Sequence, residues 1–193
     1  LDLYVADANN TTGTVLQTGG TLSLGGDAYI GHNAGSTGAY AITNGTWSIA
    51  DDLFPGHLGS GTVSIGGTAL VTVGDNIEMG NGGSAQGVLA VSGGTLRADD
   101  LWIGDEAGST GSMTLSSGAA LITNTMEIGH AGSGALTVSG GTLTLGGALT
   151  LGPPSDEADG FGTFRMQGTT SAVSVGTDFI IASSNALFEV TLG

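Results

Sequence analysis

The chain has 193 residues, 38 of them glycine, with 17 acidic and two basic side chains, a net charge of −15 and no cysteine. That balance excludes neutralisation of nucleic-acid phosphates and docking on an anionic membrane surface, and a chain without thiols holds neither a disulfide nor a thiolate metal site. Three prolines without a Gly-X-Y period exclude collagen, and 39% apolar residues are too many for a disordered segment.

Self-similarity dominates the rest. Segment 134–143 reads GALTVSGGTL and segment 87–96 reads GVLAVSGGTL, with looser copies at 13–22, 61–71 and 111–121. The glycine that opens each copy recurs at 13, 38, 61, 87, 111, 134 and 162. A second glycine closes a short apolar run, as in NIEMG, DLWIG and TMEIG, and recurs at 31, 56, 80, 104, 129 and 152. Both landmarks keep a period of about 24, the signature of stacked structural repeats. Thr, Val, Ile and Gly dominate and no window shows a 3.6 period, so helices are excluded. Each period divides into three short alternating strands, with G-G and G-S-T-G separators supplying corners. The predicted fold is an all-β parallel β-solenoid of seven to eight coils spanning 1–193 as one domain, because no single coil buries its apolar face alone.

In chain order, coil 1 points Leu3, Val5, Val15, Leu22 and Leu24 inward, and coil 2 Ile30, Tyr40, Ile42, Trp47 and Ile49. Coil 3 contributes Leu53, Val63 and Ile65; coil 4, Ile77, Met79, Leu89, Val91 and Leu96; coil 5, Leu101, Ile103, Met113 and Leu115. Coil 6 adds Met126, Ile128, Leu136, Val138, Leu143 and Leu145, and coil 7 Leu149, Leu151, Phe164 and Met166. Gln17 and Pro55 break the pattern. The chain opens in phase with a first strand and stops within a second one, so Leu3 and Val5 at one end and Phe188 and Val190 at the other are expected to border open strand edges. No export leader and no bilayer-spanning apolar run is read, and Leu1 is expected to start a mature or excised segment.

At GALTVSGGTL and its copies the sequence resembles the β-strand repeats of bacterial autotransporter passengers and of large exported proteins that carry a PEP-CTERM sorting signal. The resemblance implies export to a bacterial cell surface or beyond, and a role as stalk, adhesin or matrix component.

Residues one period apart stack in columns about 4.8 Å apart. The outward column of the first strands reads Tyr4, Tyr29, Phe54, Glu78, Trp102, Glu127, Thr150 and Ile180. Its aromatic members, Tyr4, Tyr29, Phe54 and Trp102, suit either a partner or glycan surface or plain stacking on one another. Asp27, Asp51, Asp75 and Asp99 recur at 24-residue steps, joined by Asp52 and Asp100. They suit either calcium, which takes carboxylate oxygens, or corner turns capped by Asp side chains. His32, His57 and His130 each follow a landmark glycine, with Asn81 and Asp105 between; zinc would need further convergent ligands, and solvated turn residues are the alternative. Asn9, Asn10 and Asn44 head N-x-S/T sequons that recur by chance in a Thr-rich chain. The segment 153–160, with Asp156, Glu157 and Asp159, reads as an acidic loop. Polysaccharide-cleaving β-helices need basic groups beside their carboxylates, and Arg97 and Arg165 are the two on offer. The expected function is therefore non-catalytic: self-assembly by end-to-end stacking into a filament, or a stalk segment. A polysaccharide-binding adhesin is the alternative, with no nucleic acid and no membrane insertion.

Overall fold

The structure, a computed structural model, describes residues 1–153, 160–183 and 186–191. Coil 1 consists of β1 (Leu3–Val5), β2 (Thr12–Gln17) and β3 (Thr21–Leu24), and coil 2 of β4 (Ala28–Ile30), β5 (Thr37–Ile42) and β6 (Thr46–Ile49). Coils 3, 4 and 5 pair a short strand with a long bent one: β7 (Leu53–Pro55) with β8 (Ser60–Val73), β9 (Asn76–Met79) with β10 (Gln86–Ala98), and β11 (Asp100–Ile103) with β12 (Thr110–Ile122). Coil 6 holds β13 (Met126–Ile128), β14 (Ser133–Val138) and β15 (Gly141–Leu145); coil 7 holds β16 (Leu149–Leu151), β17 (Phe161–Gln167) and β18 (Ser171–Val175). After them come β19 (Phe179–Ile181) and β20 (Leu187–Thr191).

Every pairing is parallel. The first strands form one eight-stranded sheet in the order β1-β4-β7-β9-β11-β13-β16-β19, and the second strands run in the same order along the opposite sheet. Register fixes the rise of the stack: Leu3 pairs with Ala28, Ala28 with Leu53, Leu53 with Ile77, Ile77 with Leu101, Leu101 with Met126, Met126 with Leu149 and Leu149 with Phe179. The predicted acidic loop with Asp156, Glu157 and Asp159 falls in the long last step, outside the described residues. Among the described residues no helix is long and apolar enough to cross a membrane.

The interior is the predicted one in most coils. Ile30, Leu53, Ile77, Leu101, Met126 and Leu149 from the first strands, and Val63, Leu89, Met113 and Leu136 from the second, are buried in one continuous cluster. Third-strand positions in the middle coils add Val71 and Val73, in phase with Val63 and Ile65, and Ala98 and Ile122, out of phase with Val91 and Leu115. There the second and third strands run on through a corner bulge. The register shifts between Gly93 and Thr95, with Gly67, Gly94 and Gly118 in the left-handed region.

The two pattern breakers have physical accounts. Gln17 points inward in register with Ile42, where its Oε1 accepts a 2.6 Å hydrogen bond from the Tyr40 hydroxyl. Tyr40 in turn stacks on the fully buried Trp47 at 3.8 Å between centroids. Burial pushes the Tyr40 phenol up to about 12, so it stays a donor. Pro55 keeps its acceptor, taking the Gly80 amide at 3.1 Å, but lacks a donor for the ladder. The pairing between β7 and β9 shrinks there to Leu53 with Ile77.

The two glycine landmarks turn out to be the two sides of one corner. Gly31, Gly56, Gly80, Gly104, Gly129 and Gly152 all have φ between +71 and +87. A Cβ added to the opening glycines would meet their amides: Gly38 against Gly31 N at 2.3 Å, Gly61 against Gly56 N at 2.2 Å, Gly111 against Gly104 N at 2.3 Å and Gly134 against Gly129 N at 2.2 Å. Coil 1 departs from the rule by placing Ala6, with φ 62, opposite Gly13.

Candidate functional face

The outer face of the eight-stranded sheet gathers the three columns singled out in the sequence. In its middle is the outward column of the first strands, in which Tyr4 pairs with Tyr29, Tyr29 with Phe54, and Trp102 with both Glu78 and Glu127. In the first three coils the rings lie parallel, Tyr4 on Tyr29 at 5.0 Å and Tyr29 on Phe54 at 4.8 Å, each pair 5° from coplanar. The corner histidines lean over them. His32 meets Tyr4 and Tyr29 edge-on, His57 meets Tyr29 and Phe54, and the two imidazoles stack at 5.0 Å. Phe54 is thereby buried, whereas Tyr4 stays 44% exposed. His32 is tied to Asp7 by a 2.7 Å contact at Nδ1, and burial lowers the pKa of His57. These histidines are ring-packing residues rather than freely solvated turn residues.

The acidic column needs a correction. Asp27 does not stand in line with Asp51, Asp75 and Asp99, because the step from Ala28 to Leu53 is one residue longer than the two steps that follow it, and this puts Asp27 beside Asp52. Two adjacent columns result. In one, carboxylates cap the next coil's backbone: Asp2 Oδ1 accepts from Asp27 N at 3.2 Å, Asp27 from Asp52 N at 3.1 Å, Asp52 from Asn76 N at 2.8 Å and Asp100 from Thr125 N at 2.8 Å. The Tyr29 hydroxyl donates to Asp27 Oδ2 at 2.9 Å. In the other, Asp51, Asp75 and Asp99 follow one another through backbone bonds of 3.2 and 3.0 Å. Among the described residues no group of three or more His, Cys, Asp or Glu side chains is arranged to hold a metal ion.

Coils 4 to 6 carry a feature that column reading alone does not find. The outward column and the corner column touch there. Asn81 Nδ2 donates to Glu78 Oε2 and, at 2.9 Å, to Asp105 Oδ2. Asp105 Oδ1 lies 3.1 Å from His130 Nδ1, and His130 Nε2 lies 3.5 Å from Glu127 Oε2. The imidazole stacks on Trp102 at 5.6 Å and 17°. Five polar side chains thus run around one indole. The signal was present in the sequence as Asn81 and Asp105 between the histidines and as Glu78 and Glu127 flanking Trp102; what was missing was the lateral direction of the side chains.

At the two ends the edge residues differ in kind. Val5 is buried and Leu3 half-buried, both facing inward, and among the described residues β1 pairs on one side only. Phe188 and Val190 are 40% and 47% exposed on β20, which among the described residues pairs with β17 alone. Phe188 packs against Phe164 at 5.1 Å and Phe179 at 4.9 Å. A cleft of about 410 Å³ lies between β2 and β3, lined by Val15, Gln17, Gly20, Leu22 and Tyr40 among others.

No protein-family model, curated protein or solved structure matches the chain. Its architecture is that of β-helix repeat proteins.

Proposed function

We propose that the chain is a non-catalytic structural module, a rigid rod of stacked coils that is extended at its ends by further coils of the same chain or of another copy, as a filament or as part of a stalk. The observation that supports this reading is the unbroken parallel register from Leu3 to Phe179, with strands at both ends paired on one side. A parallel edge of this kind is a template for another strand. Exposed apolar side chains on β19 and β20, among them Ile180 at 42% and Ile181 at 56%, add a face that stacking would cover. The likeness of GALTVSGGTL to autotransporter-passenger and PEP-CTERM repeats supports a place outside a bacterial cell or on its surface.

Electron microscopy of concentrated protein, with sedimentation across a concentration series, tests the assembly reading. End-to-end rods that shorten on Phe188→Lys and Val190→Lys substitution are expected. A monodisperse monomer at every concentration would overturn it.

A polysaccharide-binding adhesin is the second reading, favoured by the exposed ring of Tyr4 and the half-exposed Trp102 on one face. Glycan-array binding that is lost with Tyr4→Ala or Trp102→Ala would support it, and no binding to any glycan would end it.

A further inference from the structure

The side chains around Trp102 are arranged for one protonation state. Both nitrogens of His130 face carboxylates, Nδ1 toward Asp105 Oδ1 at 3.1 Å and Nε2 toward Glu127 Oε2 at 3.5 Å. A neutral imidazole has one N–H donor and one bare lone pair, so in either tautomer one carboxylate would meet a lone pair. With both carboxylates ionised the doubly protonated ring serves both, Nδ1 also lying 3.3 Å from the Asp105 carbonyl oxygen, while Glu127 Oε2, buried, makes no hydrogen bond and depends on the charge of the ring. Asp105 is 6% exposed and is committed on its other oxygen to Asn81, which also holds Glu78. The chain of contacts therefore spans the corners of coils 4, 5 and 6. Backbone bonds join the same corners: Glu106 N to Gly80 O at 3.2 Å between coils 4 and 5, and Ala131 N to Asp105 O at 3.0 Å between coils 5 and 6.

We propose that this cluster is a proton-operated latch: doubly protonated His130 clamps the corner of coil 6 to those of coils 5 and 4, and loss of its proton in alkaline solution releases them.

The groups facing the latch all favour the protonated form. From β11 and its corner come Trp102, whose ring face attracts a cation, and Asp105. From β13 comes Glu127, from β9 Glu78, and Asp100, Glu106, Asp52 and Asp27 add negative potential further out. On the far side, β16 presents the uncharged Thr150 in register with Glu127. The Asp105 hydrogen bond, with Glu127 assisting, pushes His130 up to about 9 against the cost of its burial. Desolvation pushes Glu78 up to about 7, so this carboxylate too binds its proton more tightly in the folded corner than in water. Both contributions have the same sign. A raised folded-state value stabilises the closed form fully below the ordinary imidazole value of about 6.5 and loses that stabilisation as pH rises through about 9. Between those limits one linked proton changes the closed-to-open ratio about tenfold per pH unit.

The test combines an NMR pH titration of the three imidazoles with native-state hydrogen exchange, corrected for intrinsic rates. His130 is expected to titrate well above His57, and the protection of the Glu106 and Ala131 amides to fall about tenfold per pH unit above about pH 6.5. The Leu58 amide, bonded to His32 O in coil 3, should show no such trend. His130→Gln should remove the trend and hold protection at the alkaline level throughout. Asp105→Asn, which keeps the shape, should bring the His130 midpoint down toward the ordinary value and serves if the first variant fails to fold. A His130 midpoint at the ordinary imidazole value, or Ala131 protection that tracks Leu58 at every pH, would overturn the latch.

Discussion

Replacing Gly111 with alanine probes the corner on which the stack is built. The backbone of Gly111 is not left-handed, so any cost is steric. Its new Cβ would lie 2.3 Å from Gly104 N, 2.9 Å from the Ile103 carbonyl carbon and 2.9 Å from Ile103 Cγ2. Two of the three are backbone atoms, which cannot rotate away. An ordinary contact begins at about 3.4 Å, so the opposing strand must retreat by roughly 1 Å. That retreat stretches the bond from Gly104 N to Met79 O, now 2.9 Å, in a buried corner. Overpacking costs about 1–3 kcal/mol, and a broken buried backbone bond about 1–3 more. We expect a loss of about 2–6 kcal/mol, on the order of 10 °C in Tm for a chain of this size. Gly19→Ala is the control, since its Cβ would have nothing within 4 Å and its φ is not positive; it should stay within about 0.5 kcal/mol. Urea unfolding followed by circular dichroism, with m unchanged, gives both values. Equal midpoints for the two variants would show that the landmark glycines do not interlock, and the columns would lose their anchor.

Ala6→Gly should stabilise the chain by about 0.5–1 kcal/mol in the same assay, because Ala6 is an alanine held at φ 62 where later coils use glycine. Tyr40→Phe should cost about 1 kcal/mol by stranding the Gln17 amide oxygen, and adding Gln17→Leu should recover most of it in a double-mutant cycle. Glu78→Gln should flatten the pH profile: the folded value, raised by desolvation to about 7, means stabilisation present below about 4.5 and lost as pH rises through 7. The variant should therefore match the parent near pH 4 and exceed it at pH 8 by about 1 kcal/mol after solvent screening. Asp52→Ala should cost about 1 kcal/mol by freeing the Asn76 amide, whereas Asp51→Ala, with an exposed side chain, should be neutral to thermal melting with or without calcium.

How far the sequence could be read depended on the anchor used for counting. Positions counted from the apolar strands, such as Tyr4, Tyr29, Phe54 and Trp102, fell into true register because alternation ties each to a buried neighbour. Asp27 was placed by adding a constant 24 and slipped, since the spacing of adjacent coils varies and only the strands are pinned. Ile122 was missed for a related reason: the glycine bulge at the second corner resets the phase, so alternation carried through it from Leu115 points to the wrong face, whereas Val71 and Val73 keep the phase of Val63 and Ile65. The Glu78–Asn81–Asp105–His130–Glu127 chain was invisible for a different one. Periodicity supplies distance along the solenoid axis, but the reach of side chains across it depends on where each corner turns.

The same geometry accounts for how so acidic a chain stacks at all. Copying a carboxylate from coil to coil sets like charges about 4.8 Å apart, a repulsion of roughly 1 kcal/mol per pair in water and roughly 3 at a protein surface. The columns meet that cost in two ways. Where aspartates follow one another, as Asp2, Asp27 and Asp52 do, each accepts the amide of the next coil, so the charge that repels its neighbour also caps it. Where the side chains are more deeply packed, charge is diluted: Trp102 separates Glu78 from Glu127, and Asn81 and His130 flank Asp105. Among the described residues the carboxylates of these two columns are thus hydrogen-bonded to the next coil or separated by uncharged or basic side chains.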